Sequence, residues 1–370
     1  MDDIVDKIHR GNENISREFI INRLVYELIG KAIWFPRDYP DFQSVAENEV
    51  LQLLHYSPER EIDVPLVHID VGSEPFIFGC VTFYPMTQSD REDSWLTTLH
   101  VADDTFLAHS VLSYARVVGR GDLTVAKEEA RRIVSETLIF LRAIGFPISI
   151  QPQVQFGMLD EYAYSQISPY RSKPPKEKIK LEAAIKTSWK VGPPLRAYNI
   201  RTDLLSAIDD QTYRQFDKLI ANNYHNPGTE IIRKFLLGLR WLGEATKPDI
   251  IEMRFTKLAF ALEAFIGGES NQDILTTRGL TATLSERGAF LVGKDEKERI
   301  DVHAAIHKYY KFRSSIVHGS TKQIREAEFI DFASLVRRIG WALFHKIEIF
   351  KNIDDLQRWV LSQRYQNKHL

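Results

Sequence analysis

Apolar residues recur along this chain at two different periods, and the change between them divides it into two halves. Ile20, Leu24, Leu28 and Ile33 recur near i, i+4 spacing, which predicts a helix within residues 1–34 with Ser16 as a cap. Pro36 and Pro40 then break it. Alternation takes over next. Ile62, Val64 and Leu66 form one run and Phe76, Phe78 and Cys80 another, separated by Gly72, Ser73 and Pro75, so strands are predicted. The helical period returns over residues 124–144. Thr124 is its expected cap, Glu128 and Glu129 lie in its first turns, and Gly145-Phe146-Pro147 is a stop. Phe146, Ile148, Ile150, Val154 and Phe156 then alternate again. The first half reads as a mixed α/β domain.

From Thr229 the pattern is helical almost throughout. A first helix follows Pro227-Gly228, with Thr229 as cap; it carries Ile231, Ile232, Phe235, Leu239 and Leu242 and ends at Gly243. A second begins near Asp249 and Glu252 and stops at Gly267-Gly268. Further helices are expected over 273–291, 297–317 and 324–350, with a short tail helix near 356–360. Short connections between amphipathic helices predict an antiparallel bundle. The expected fold class is therefore α+β: a mixed α/β domain over residues 1–195, a connecting segment over 196–226, and an all-α bundle over 227–370.

Composition adds few constraints. The 370 residues suffice for two cores, and 44% hydrophobic with 26% charged residues is ordinary for a soluble globular protein. The formal net charge of -2 leaves room for a local basic face. One run supplies such a face. Between Ser168 and Pro194, Arg171, Lys173, Lys176, Lys178, Lys180, Lys186 and Lys190 stand against Glu177 and Glu182, punctuated by Pro174-Pro175 and Pro193-Pro194. This reads as a solvated linker, or as a strip whose lysines, Lys176, Lys178 and Lys180 among them, attract RNA phosphates. A single cysteine, Cys80, an acidic start without a signal pattern, and no apolar run long enough to span a bilayer point to a cytoplasmic protein with no membrane partner.

The candidate chemistry lies in Tyr309-Tyr310-Lys311-Phe312-Arg313-Ser314-Ser315-Ile316-Val317-His318-Gly319. A permanent cation, Arg313, precedes by five residues a histidine, the one side chain that exchanges protons near neutral pH. A phosphodiester under attack needs both: fixed positive charge for its oxygens and a base for the attacking hydroxyl. At about 100° per residue, five positions place the two side chains roughly 140° apart on one helix. A single helix thus presents them poorly to one phosphate.

Arg-x-x-x-x-His, preceded by aromatic residues and closed by His-Gly, resembles the signature of HEPN domains, in its Arg-Ser-Ser-Ile-Val-His-Gly form most nearly the Apea-like HEPN group. Arg254 to Phe265, with Leu262-Glu263-Ala264 at its core, resembles that group's earlier helix, and Leu284-Ser285-Glu286-Arg287 its linking helix. The resemblance spans residues 229–350. It implies a metal-independent endoribonuclease in which His318 deprotonates a ribose 2′-hydroxyl, Arg313 steadies developing negative charge, and Ser314 contacts the phosphate or orients the histidine. The family often has Asn, Asp or His after the arginine, where this chain has Ser314. The resemblance further implies RNA as substrate, a homodimer through the bundle with two facing motifs, and a toxin or antiviral defence role with an antitoxin or regulatory protein as partner. The alternative is an inactive HEPN-like bundle that binds RNA, nucleotide or a protein.

Glu263 lies on or beside the apolar stripe of the second helix and needs a partner there. It is either a snorkelling or capping glutamate or a residue that orients His318 or Arg313. His303 and His307 stand one helical turn apart, a spacing that can hold zinc, but no third ligand accompanies them, and neither metal nor cofactor is expected.

Overall fold

The computed structural model describes residues 2–29, 42–87, 90, 100–101, 111–145, 157–158, 171–173, 184–185, 198–204, 208–223, 228–247, 250–268, 279–318 and 323–366. They divide into two compact units, residues 1–135 with 156–191 and residues 136–155 with 192–370. The fold class is α+β, with an antiparallel sheet in the first unit and helices in the second.

The first unit opens with helices α1 (Asp2–Gly11), α2 (Arg17–Ile21, continued as π-helical turns over Asn22–Ile29) and α3 (Phe42–Leu54). Val5, Ile8, Ile15, Ile20, Leu24 and Leu53 form their common core. Ser16 caps α2 as its sequence position predicts, accepting from the Phe19 amide at 3.2 Å. The six strands of the unit's main sheet are β1 (Glu59–Val67), β2 (Phe76–Phe78), β3 (Val81–Pro85), β4 (Val111–Arg120), β5 (Gly157–Met158) and β6 (Arg171–Lys173). The sheet runs β2-β3-β4-β1-β5, with β6 also beside β1, and every pairing is antiparallel. Ile62, Val64 and Leu66 of β1 are fully buried, but Asp63, Pro65 and Val67, which alternate with them, are buried too, so the strand is covered on both faces rather than on the one face that alternation predicts. Val81 and Phe83 of β3 and Ala115 of β4 are also fully buried.

Three features of this sheet depart from the sequence reading. Cys80 is not a strand residue: Gly79 and Cys80 make the two-residue turn between β2 and β3, with Gly79 at φ 62° in the left-handed region that glycine adopts without strain. The long strand β4 carries no expected strand signal of its own, yet it is central. Its Arg116 lies opposite Asp63 and donates to that buried carboxylate from two nitrogens, at 2.7 and 3.1 Å. Arg171–Lys173, the start of the basic run, is an edge strand rather than linker. In the ladder Lys173 is in register with Glu61 and Arg171 with Asp63. The remaining alternating stretch, residues 146–156, lies outside the described residues, as do Lys176, Lys178 and Lys180.

Helix α4 (Leu123–Gly145) follows β4, and the division between units falls within it. Its cap is Asp122 rather than Thr124. The Asp122 carboxylate accepts from the Thr124 and Val125 amides at 2.7 and 3.1 Å, leaving Thr124 inside the first turn.

The second unit contains α5 (Asp210–Asn223), α6 (Glu230–Glu244), α7 (Ile251–Ile266), α8 (Leu280–Val292), α9 (Glu296–Val317), α10 (Glu326–Phe344) and α11 (Ile353–Gln366). Thr229 caps α6, accepting from Ile232 at 3.4 Å, and Gly267 ends α7, both as predicted. Helix α5 occupies what reads in the sequence as a connecting segment; its Phe216 and Ile220 are buried, and Phe216 packs on Phe235 and Phe344. Helix α11 is longer than the tail helix expected there.

The core is aromatic. Phe265 of α7 sits where two glycines let it approach other backbones. A Cβ on Gly238 of α6 would lie 2.2 Å from its ring, and one on Gly340 of α10 would lie 2.9 Å away. A second clamp is polar. Arg287 of α8 is fully buried; it donates to the Ile266 and Gly268 carbonyls at 2.9 Å each and to Gln357 Oε1 of α11 at 2.8 Å. These carbonyls belong to the C-terminal end of α7, where helical acceptors lack intrahelical donors and partial negative charge accumulates. A guanidinium is the natural donor for that position. Among the described residues, no helix is long and apolar enough to cross a membrane.

Candidate functional site

Helix α9 begins at Asp295, whose side chain accepts from the Glu298 amide at 2.8 Å. Val302, Ile306, Tyr309, Tyr310 and Phe312 form its buried face. Phe332 of α10 lies 4.9 Å from Tyr309 and 4.8 Å from Phe255 of α7, ring centre to ring centre. The aromatic residues before the arginine therefore serve as packing. They fix the rotation of α9 and so decide where Arg313 points.

Arg313 emerges beside α7. Its Nη2 lies 3.6 Å from Glu263 Oε1, and both side chains are about three-quarters covered, 27% and 26% exposed. The guanidinium carbon lies 5.7 Å from the Phe260 ring centre and 5.6 Å from that of Tyr310. Phe260 and Glu263 are i, i+3 neighbours on α7, and Tyr310 and Arg313 are i, i+3 neighbours on α9, so two helix faces meet as a four-residue cluster. The Tyr310 hydroxyl donates to the same oxygen, Glu263 Oε1, at 2.8 Å. Burial, followed by this bond to the carboxylate, pushes the phenol well above its ordinary pKa.

Two distances rank the interactions. At 2.8 Å the phenol makes a full hydrogen bond to Glu263; at 3.6 Å the arginine is an ion-pair partner without one. Arg313 Nε is buried and has no hydrogen-bond partner among the described residues. The cation is thus held in place by rings and a carboxylate while its N–H groups are far from saturated. Such a guanidinium retains capacity for the oxygens of an anion.

Ser314 is half-buried, and its carbonyl accepts from the His318 amide at 3.1 Å. His318 is the residue that ends α9, at φ -86° and ψ 12°, and it is exposed. Because α9 stays helical through Val317, it does not bring the imidazole round to the arginine's face. The structure therefore joins Glu263 to Arg313, with no side-chain contact between either of them and His318 among the described residues. Glu263 thus stands beside Arg313. Gly319 lies outside the described residues.

Tyr310 and Phe260 are absent from the residues that sequence reasoning singles out. The signal was present in the i, i+3 spacing from Arg313 and Glu263, but only the pairing of α7 with α9 gives that spacing meaning. His303 and His307 are both exposed. Among the described residues no group of three or more His, Cys, Asp or Glu side chains is placed to hold a metal ion. A cavity of about 910 Å³ lies where α8, α9 and α11 meet, lined by Glu286, Phe290, Arg299, His303 and Arg364 among others. It opens beside the N-terminal turns of α9, at the other end of the helix from Arg313 and His318, and two of its cations are already engaged: Arg364 with Glu286 at 3.1 Å, Arg299 over the Phe290 ring. Comparison with known proteins finds no protein-family model, no curated protein and no solved structure that matches this chain.

Proposed function

We propose that the helical unit is a HEPN-type, metal-independent endoribonuclease that acts on RNA in the cytoplasm as a homodimer through its bundle, in a toxin or antiviral defence role with an antitoxin or regulatory protein as a further partner. The observation that carries the reading is the state of Arg313: a cation positioned by Glu263 and two rings, with donors left over, on the helix that ends in an exposed imidazole. In this mechanism His318 takes the proton of a ribose 2′-hydroxyl, and the resulting oxygen attacks the adjacent phosphorus. Arg313 holds the charge that grows on the phosphoryl oxygens. The bond to the 5′-oxygen breaks, that oxygen receives a proton, and the upstream fragment is left with a 2′,3′-cyclic phosphate. Ser314 contacts the phosphate or orients the histidine. Lys176, Lys178 and Lys180 supply attraction that is independent of sequence. The angular separation of Arg313 and His318 along α9 is the reason for the dimer: a second copy supplies the missing half of each site.

Incubation of purified protein with RNA, wild type beside His318→Ala, tests this directly. Loss of a general base is expected to slow cleavage about 10²- to 10⁴-fold. EDTA is expected to have no effect, and a single 2′-deoxy substitution at a mapped cut site should abolish cutting there. Equal cleavage by His318→Ala would refute the assignment. A wild type that binds RNA or nucleotide without cutting it would leave the inactive bundle.

A further inference from the structure

We infer that Tyr310 is a positioning residue that keeps Arg313 available to an external phosphate by occupying the carboxylate that would otherwise clamp it. The inference rests on the proposed role of Arg313 and adds to it a residue that neither the motif nor the resemblance assigns. Glu263 Oε1 faces two donors at once. The phenol holds it at 2.8 Å, whereas Arg313 Nη2 stands at 3.6 Å from the same atom. A carboxylate and a guanidinium left to themselves close to a charge-assisted hydrogen bond of about 2.7–2.9 Å, commonly in two-pronged form. Here they do not: the phenol on α9 takes the hydrogen-bonding position on Oε1, and the arginine stands off the same atom.

The neighbours explain why the arginine stays nearby without being seized. The rings of Phe260 and Tyr310 lie 5.7 and 5.6 Å from the guanidinium carbon, close enough to hold a cation by its face and yet leave its edge N–H groups unclaimed. Arg313 Nε also has no partner among the described residues, but it is covered, so an external anion is left to the Nη groups. The phenol therefore does two separate things. Its ring supports the cation, and its hydroxyl restrains the carboxylate. Only the second is lost in Tyr310→Phe, which keeps the ring.

The test uses the full-length chain and reads the guanidinium itself. Phenylglyoxal labelling of Arg313, followed by peptide mass spectrometry, measures how freely that side chain reacts. Tyr310→Phe is expected to slow labelling by about three- to tenfold, the worth of one hydrogen bond that Glu263 now makes with Arg313 instead. Glu263→Gln removes the clamp, so labelling in Tyr310→Phe/Glu263→Gln should return to at least the wild-type rate. A Tyr310→Phe protein labelled as fast as wild type, or faster, overturns the inference, and so does a double variant as slow as Tyr310→Phe. In parallel, Tyr310→Phe should raise KM for an RNA oligonucleotide by a similar factor, and the double variant should lower it again. A labelling pattern as described in a wild type that cuts no RNA would sink the nuclease assignment and leave the tether standing, so the two failures are distinct.

Discussion

Arg287→Met tests whether one buried guanidinium holds the end of α7, and with it the cluster around Arg313. Methionine approximates the volume and is apolar, so the change removes donors rather than opening a large cavity. Three acceptors lose their partner: the Ile266 and Gly268 carbonyls and Gln357 Oε1. A hydrogen bond from a charged donor contributes about 1.5–3 kcal/mol, so the gross loss is several kcal/mol. Against it stands the desolvation that a fully buried cation costs in the native state, which the methionine escapes. Each buried neutral acceptor left without a donor costs about 1–3 kcal/mol, so a net loss of about 3 kcal/mol is expected once the escaped desolvation is set against it. Thermal unfolding followed by circular dichroism should show the helical transition falling by roughly 6–12 °C for a 3 kcal/mol loss, at about 2–4 °C per kcal/mol for a unit of this size. Arg287→Met/Gln357→Leu should recover part of the loss by removing one orphaned acceptor. A midpoint within about 2 °C of wild type for Arg287→Met would refute the account, since it would mean the carbonyls of α7 need no donor.

Gly238→Ala should destabilise the same unit by about 1–3 kcal/mol, because its new Cβ meets the Phe265 ring at 2.2 Å, and Phe265→Leu should relieve it; urea titration of the single and double variants checks both. At the start of α10 the Glu328 carboxyl is held down to about 2, first by its bond with Arg325. A depressed carboxylate contributes stability that is fully present above the unfolded value of 4.5 and is lost as pH falls through about 2. Unfolding free energies measured from pH 5 to 2 should therefore fall less steeply in Glu328→Gln than in wild type, and parallel curves would show that the pair carries no pH-dependent stability.

The features legible in the chain are those that short-range physics writes into it. Ser16 and Thr229 cap helices because a hydroxyl next to free amides has few better partners, and Gly267 ends α7 because that requirement is equally local. The alternation of Phe76 and Phe78, buried on either side of an exposed Ile77, is legible because a strand with one buried face needs period two. The α+β class follows from those periods alone. Arg313, Ser314, His318 and Glu263 were singled out as candidates from residue type and spacing. Decided only in three dimensions are the features that depend on which element lies alongside. Helix α5 was hidden because a short amphipathic segment between polar stretches shows its core face, Phe216 and Ile220, only once Phe235 and Phe344 meet it. Arg171–Lys173 looked like solvated linker because its partners, Glu61 and Asp63, lie more than a hundred residues away along the chain. Arg287 shows no sign of burial in the sequence, since a cation is stable inside a protein only where acceptors converge on it, here two helix-end carbonyls and Gln357. The candidate site divides in the same way. Sequence supplies the arginine and the glutamate, but the 2.8 Å and 3.6 Å distances that let Tyr310 hold the one and free the other exist only because α7 and α9 pack face to face.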